Sequence, residues 1–389
     1  MKIIHRKNCI LCESEIEMEH LYTFKSFPVF MGCVDNPDSE QDILSDMRWE
    51  ISKKSGMIQL ASLLPIDVVY SQAHGSGLVG SMWKQHHSEF ADFVIDKIPN
   101  QADVLEIGAQ HGILADNVLS KNEDVKHWTI IEPNPNMIES LSSHSNVSVY
   151  KGWFDENFIP YKSFNTIIHS HVFEHVLDPH LFMRLISNRL NDNQRCIFSV
   201  PNMKAMLERG YVNCLNFEHT FYLSEDYIEY FAEKYGFSII DKKYFKEDHS
   251  IFYCIEKIDN ILTREPILRK NIFQDNLNVF NSYCTNLINE VSTINAAIVD
   301  EQEVYIFGGH VFSQYLISLG LDCNNIINIL DNDPNKHGKR LYGTNQIVVS
   351  PEQLRDKVSP LVILKAGVYT NEIKKQITDE INSSVRFIL

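Results

Sequence analysis

The 389-residue chain lacks any apolar run approaching the ~20 residues that span a bilayer, and Met1 to Lys7 is polar, with no apolar segment of the signal-peptide kind. These two absences predict a cytoplasmic protein that neither crosses a membrane nor is exported. Cysteine is scarce as well: eight residues are too few for a disulfide framework in a chain of this size. Five of them (Cys196, Cys214, Cys254, Cys284 and Cys323) are scattered through apolar or helical surroundings, where buried reduced thiols are expected. There is no surplus of positive charge. With 51 acidic residues against 35 basic ones the formal charge is −16, a field that repels phosphate backbones and argues against a nucleic-acid partner. A small anionic ligand stays compatible with that field, because a local backbone nest can override it. Internal repeats and low-complexity tracts are also missing.

What is present reads as a soluble globular protein, 44% hydrophobic and 22% charged, long enough for two or three domains of ~150 residues. Texture divides it into four parts. Residues 1–85 are irregular, with turn-rich stretches such as Asp35-Asn36-Pro37-Asp38. Residues 86–257 alternate strand-like and helix-like pieces, the pattern of an α/β sheet. The expected strands are Val104–Ile107, Trp128–Ile131, Val147–Tyr150, Thr166–Ile168 and Cys196–Val200, then Phe237–Ile240 and Ile251–Ile255 as a closing antiparallel pair. Together they make a seven-stranded sheet. Asp178 and Pro179 open one helix, and Ser224 is expected to cap another that ends at Gly236. Residues 258–302 read as a helical linker, with apolar residues at helical spacing. Alternation resumes over 303–389.

The first strand of the α/β region runs into Glu106-Ile107-Gly108-Ala109-Gln110-His111-Gly112, with a helix directly after it. A Gly-rich turn between strand and helix brings a ligand against backbone N–H groups at the strand's C-terminal edge. The spacing is E-x-G-x-x-x-G, which resembles the first motif of class I S-adenosylmethionine-dependent methyltransferases. That resemblance implies a set of cofactor residues. Glu106 would face the cationic methionine portion, and Gly108 and Gly112 would shape the turn. Glu132, followed by Pro133 at the end of the second strand, would hold the ribose hydroxyls, a bidentate task for a carboxylate. Trp153 and Phe154 would stack on adenine. Ser170 and His171 open the segment after the fourth strand, Ser170-His171-Val172-Phe173-Glu174-His175, which looks like the E-H motif of small-molecule methyltransferases. Asn165 stands where many relatives carry Asp, a change expected to affect local packing.

Beyond the fifth strand, Glu218-His219-Thr220-Phe221-Tyr222-Leu223-Ser224 resembles a segment of bacterial sugar C-methyltransferases, which act on nucleotide-linked ketosugars. Three further parts of the chain fit that family: a small N-terminal domain with cysteine pairs, a segment like Tyr70 through His86 (with His74 and Trp83), and a C-terminal Rossmann-like domain from Val304. The resemblance implies S-adenosyl-L-methionine as cofactor, a nucleotide sugar of surface polysaccharide biosynthesis as acceptor, and zinc in the N-terminal domain. The chain departs from the family twice. The second cysteine pair is replaced by Ser52 and Ser55, and serine is a poor zinc ligand. A zinc on Cys9 and Cys12 therefore requires Cys33 and His20 to close it; otherwise the domain is held by packing alone. The second departure is Asn216-Phe217, where the family often has Tyr-His.

Transfer of a methyl group requires an aligned acceptor and removal of its proton. His219 is the expected base, with Glu218 and His175 orienting it or stabilising charge, and Tyr70 the alternative base from the N-terminal side. Methylation at carbon further needs donors for an enolate oxygen, whereas a hydroxyl or amine acceptor does not. Two rival readings come from other classes. Gly308-Gly309 followed by Asp331 superficially fits a dinucleotide site of an NAD-binding oxidoreductase, although Ser313 replaces the third glycine. A non-catalytic methyltransferase-like scaffold is the other.

Overall fold

The computed structural model describes residues 3–12, 17–69, 81–134, 141, 144–160, 162–258 and 266–388. Its centre is a seven-stranded sheet. In chain order the N-terminal module contributes β1 (Met18–Pro28), β2 (Leu44–Ser52) and β3 (Ile58–Leu60). The central domain then runs α1 (Ser81–Lys97), β4 (Asp103–Ile107), α2 (Ile113–Leu119), β5 (His127–Glu132), β6 (Val147–Lys151), β7 (Thr166–Ser170), α3 (Pro179–Ser187), β8 (Arg195–Pro201), α4 (Met203–Glu208), α5 (Glu225–Lys234), β9 (Phe237–Phe245) and β10 (Ser250–Lys257). The strand order is β9-β10-β8-β7-β4-β5-β6, with β10 antiparallel to both neighbours. Its inner strands are buried on both faces, so they read as short, mostly apolar runs. All seven strands fall where the sequence alternation puts them. The order reverses at β4, which pairs with β7 on one side and β5 on the other. In an open α/β sheet, the crevice beyond the strand ends at that reversal is the ligand position.

Local signals explain much of the helix placement. The Asp178 carboxylate accepts the Leu181 N–H (2.9 Å) at the start of α3. Ser224 precedes α5, but its hydroxyl makes no capping bond and is buried without a partner. Asn165 fastens β7 to β4, its side-chain oxygen accepting the Asp103 N–H (3.1 Å), so this departure is a packing feature. The boundary expected at residue 86 falls inside α1, which packs beside α2 on the sheet.

The N-terminal module is a sheet rather than irregular chain, in the order β1-β2-β3. The linker region contains one long helix, α6 (Ile272–Ile298), which joins two cores. Phe280, Tyr283 and Leu287 pack with the N-terminal module and central sheet, and Val291, Ile294 and Ile298 pack with the C-terminal domain. That last domain is a five-stranded parallel sheet containing β11 (Val304–Phe307), β12 (Ile326–Leu330), β13 (Val348–Val349), β14 (Leu361–Leu364) and β15 (Arg386–Ile388), ordered β13-β12-β11-β14-β15. It is sewn to the N-terminal module. Cys33–Val34 pairs with Arg340–Leu341, and the buried Arg340 guanidinium grips both carboxylate oxygens of Asp42 (2.5 and 2.9 Å).

Candidate active site

The turn after β4 requires glycine. Gly108 has φ +72°, and a Cβ there would lie 2.8 Å from Val172 Cγ2; Gly112, also at φ +72°, begins α2. Glu132 ties this turn to the end of β5. One of its carboxylate oxygens accepts the Gln110 N–H and the other the Asn134 N–H, both at 2.9 Å. Each oxygen keeps a second lone-pair direction for a ribose hydroxyl, and Pro133 lies half-buried between the two anchoring segments. Trp153 is 54% exposed and offers an open stacking face. Phe154 does not, because its ring is covered by the Arg189 guanidinium (4.9 Å to the centroid) and packs edge-on against Phe182. Glu106 also departs from expectation. It is buried and accepts the Trp128 indole N–H (2.8 Å), and burial pushes its carboxyl up to about 7, Trp128 opposing and Glu132 reinforcing the shift. It is an internal partner of β5 rather than an anion displayed at the edge. Ser170 ends β7 half-buried, and His171 takes φ +52°. The His171 ring is engaged on both nitrogens, with Nδ1 3.0 Å from Glu174 and Nε2 3.0 Å from the Ser250 hydroxyl.

Two Glu-His dipeptides face each other beside this edge. Glu174-His175 lies in a single helical turn after β7, and Glu218-His219 in the loop between α4 and α5. The Asn216 side-chain oxygen accepts the Glu218 and His219 N–H groups (2.8 and 2.9 Å) and so shapes that loop. His219 Nδ1 lies 2.9 Å from the Cys214 carbonyl. A carbonyl only accepts, so Nδ1 carries the proton and Nε2 the lone pair. The His175 and His219 rings are 4.6 Å apart, and His175 Nδ1 is 3.9 Å from Glu218. Burial lowers the His219 imidazole, with Glu174 pulling the other way, and raises the Glu218 carboxyl to about 7. Glu174 is fully buried. Burial works against its charge, yet the His171 hydrogen bond and the field of His171, His175 and His219 hold it down to about 2. Ligand atoms of Glu174, His175 and His219 lie within 4.8 Å of one another, a spacing that would admit a divalent cation. Glu174 is paired with His171 at 3.0 Å, and the group is an acid–base cluster as it stands.

The N-terminal module fixes this loop from outside. The Arg6 guanidinium donates to the Thr220 carbonyl and hydroxyl (2.8 and 3.0 Å), Leu60 N–H donates to the same carbonyl (2.9 Å), and Tyr222 N–H donates to the Ile58 carbonyl (2.9 Å). Tyr70 and His74 lie outside the described residues. Trp83 and His86 pack behind the cofactor edge, Trp83 against His171 and His249, and His86 Nε2 2.9 Å from the Ser199 hydroxyl.

The four-ligand zinc set is not assembled. Cys33 points into the C-terminal domain and donates to the Gly309 carbonyl (3.2 Å), because its strand pairs with Arg340–Leu341. His20 is exposed on β1 beside Thr23. Among the described residues, none of these four belongs to a group of three or more close metal-ligating side chains. Cys9 and Cys12 instead meet Ser55 and Ser52, which replace the second pair, and hydroxyls in those positions do not complete a zinc site. The dinucleotide alternative is also poorly supported. Asp331 is spent on the Gly309 N–H (2.8 Å) and Lys336 (2.9 Å), and the Gly309 turn is packed against Cys33 and Val348.

The sequence marks Glu174 and Asn216 only as motif positions and does not single out Arg6. The repeated Glu-His dipeptide was a usable signal for the first; the other two act through contacts that no local pattern announces.

Residues 82–242 match a family model described as a methyltransferase domain. No curated protein matches the chain. Similar solved structures include an S-adenosylmethionine-dependent methyltransferase from Clostridium acetobutylicum ATCC 824 (14% identity, 44% of this chain and 92% of that one, TM-score 0.37). Another is from Mesorhizobium loti (11% identity, 46% and 100%, TM-score 0.38). A third is the N-methyltransferase NodS from Bradyrhizobium japonicum WM9 (12% identity, 47% and 99%, TM-score 0.37). The family match falls on the seven-stranded domain, whose strand order is that of class I methyltransferases. Residues 82–242 are therefore a methyltransferase domain of the S-adenosyl-L-methionine-dependent kind, and the Gly108 turn, Glu132 and Trp153 fit that cofactor. Among the described residues no helix is long and apolar enough to cross a membrane.

Proposed function

We propose that this methyltransferase acts on a nucleotide-linked sugar, with His219 as the general base and transfer to a carbon beside a carbonyl. The observation that carries the reading is the meeting of Glu174-His175 and Glu218-His219 at the cofactor edge, with His219 Nδ1 committed to Cys214 and Nε2 carrying the lone pair. The cofactor, when bound, supplies a methyl group already activated on sulfonium. The rest falls to the chain. Glu132 and the Gly108 turn hold and orient the cofactor, and Trp153 offers a stacking face. His219 Nε2 takes the acceptor's proton, and the anionic Glu174 nearby favours the imidazolium that results. His175 and Glu218 flank the acceptor position.

One observation favours a second reading, transfer to a hydroxyl or amine. Phe217 is buried against Phe27, and Asn216 is consumed in shaping its own loop, so neither replaces the Tyr-His donors of the sugar C-methyltransferases toward an enolate oxygen.

The test is to incubate the protein with labelled cofactor and a panel of nucleotide sugars and look for gain of one methylene by mass spectrometry. His219→Ala should lower turnover by ~10²–10⁴-fold while leaving cofactor binding intact. Because the neutral imidazole is the reactive form, the parent rate should fall with decreasing pH, on a limb below the ordinary imidazole value of ~6.5, and that limb should vanish in the variant. Solvent deuterium washing into the carbon beside the carbonyl marks a carbon acceptor. Methyl transfer without that exchange marks the hydroxyl or amine reading, and a variant of near-parental turnover removes His219 as the base.

A further inference from the structure

The mismatch between the implied zinc and the residues at Cys9 and Cys12 points to different chemistry for this pair. Cys9 is fully buried and Cys12 half-buried, and both are free thiols. Cys9 leads into a turn over Ile10–Cys12. Such a turn holds its first and fourth Cα atoms within about 7 Å, near the Cα range of a disulfide. The Ser55 hydroxyl lies 3.2 Å from Cys9 Sγ and also accepts the Met57 N–H (3.2 Å), which fixes it against the sulfur. Ser52, also buried, accepts the Ser55 N–H (3.3 Å) and so holds that residue in place. The Ser55 hydroxyl set against the Cys9 sulfur favours its thiolate.

The turn is also braced on both sides. Ile10 N–H donates to the Gln59 side-chain oxygen (2.9 Å), the Gln59 amide donates to the Asn8 carbonyl (3.0 Å), and His180 Nε2 donates to the Leu11 carbonyl (2.9 Å). A pair held this way can close with little backbone movement.

We propose that Cys9 and Cys12 are a redox-active dithiol, converted reversibly to an intramolecular disulfide by a small-molecule disulfide of the glutathione class. Cys12, the more accessible sulfur, gives its proton to water and attacks one sulfur of the incoming disulfide. The disulfide bond of the small molecule breaks, and one small thiolate leaves and is protonated by water. Cys9 then attacks the Cys12 sulfur, and the second small thiolate departs, taking up the proton that Cys9 releases. Two electrons pass from the protein thiols to the small molecule: one disulfide forms and one is reduced.

The test is thiol mapping of the full chain by peptide mass spectrometry after equilibration in buffers of increasing oxidised glutathione. The expected result is loss of two hydrogens on the peptide carrying Cys9 and Cys12, reversed by dithiothreitol, in protein that remains folded by circular dichroism. Cys9→Ser should trap a glutathionyl group on Cys12, and Cys12→Ser should stop the reaction, since Cys9 is buried. If Cys9→Ser fails to fold, the wild-type mapping still decides. Cys9 and Cys12 staying alkylatable on denaturation, in buffers where Cys323 is glutathionylated, would overturn the proposal. So would one zinc per chain in protein purified without chelator, with both thiols shielded until the metal is removed.

Discussion

At the scale of single residues, the site is held by side chains with two obligations. Glu132 is the clearest case, since its carboxylate fastens the Gly108 turn and also faces the cofactor edge. Glu132→Ala should weaken cofactor binding by roughly 1–3 kcal/mol, the cost of leaving hydroxyl and backbone donors unpaired. Calorimetry with S-adenosylhomocysteine measures it, and unchanged affinity would remove Glu132 from the site. Asn216 bears on the acceptor instead. It organises the two N–H groups of the Glu218-His219 loop, so Asn216→Ala should leave cofactor affinity as it is and lower kcat, by roughly tenfold for a loss of ~1.4 kcal/mol of positioning. A fall in cofactor affinity instead would show that the loop serves the cofactor. Residues of this kind were only half legible. Glu132 and His219 stand at strand ends and in motifs, where spacing exposes them. Arg6 reaches Thr220 across more than half the chain length, and Glu106 turned inward to Trp128, a choice made by packing across two strands.

At the scale of elements, the central domain follows its local signals. Asp178 caps α3, and Asp178→Ala should cost ~0.5–2 kcal/mol in chemical denaturation. A cost near zero would mean that the buried face of α3 holds it without the cap. The seven strands were readable because each is a short apolar run bounded by polar turns. The N-terminal sheet was not, although β1 is eleven residues long. Its pairing with β2 shifts register between His20 and Tyr22 and again between Phe24 and Phe27. Each irregularity reverses which side chains face inward, so the period-two pattern that would mark a strand is erased. Strand β3 is buried at all three positions and shows no alternation either.

At the scale of the whole molecule, the chain is continuous where the sequence suggests beads on a string. Arg340 and Asp42 form a buried bidentate pair between the first and last modules. Arg340→Ala would leave Asp42 buried without its cation and should cost ~3–5 kcal/mol, seen as a lower Tm. An unchanged Tm would show that the modules are held by their apolar contacts alone. The long helix α6 carries the same continuity further. Its first half is a wall of one core and its second half a wall of another, changing allegiance between Leu287 and Val291. A C-terminal module grafted from a relative at residue 303, the natural seam in the sequence, would arrive without Val291, Ile294 and Ile298 of its own interior. A working chimaera has to be spliced within the helix, between Leu287 and Val291, so the unit of exchange in this architecture is a domain together with the end of the helix that precedes it.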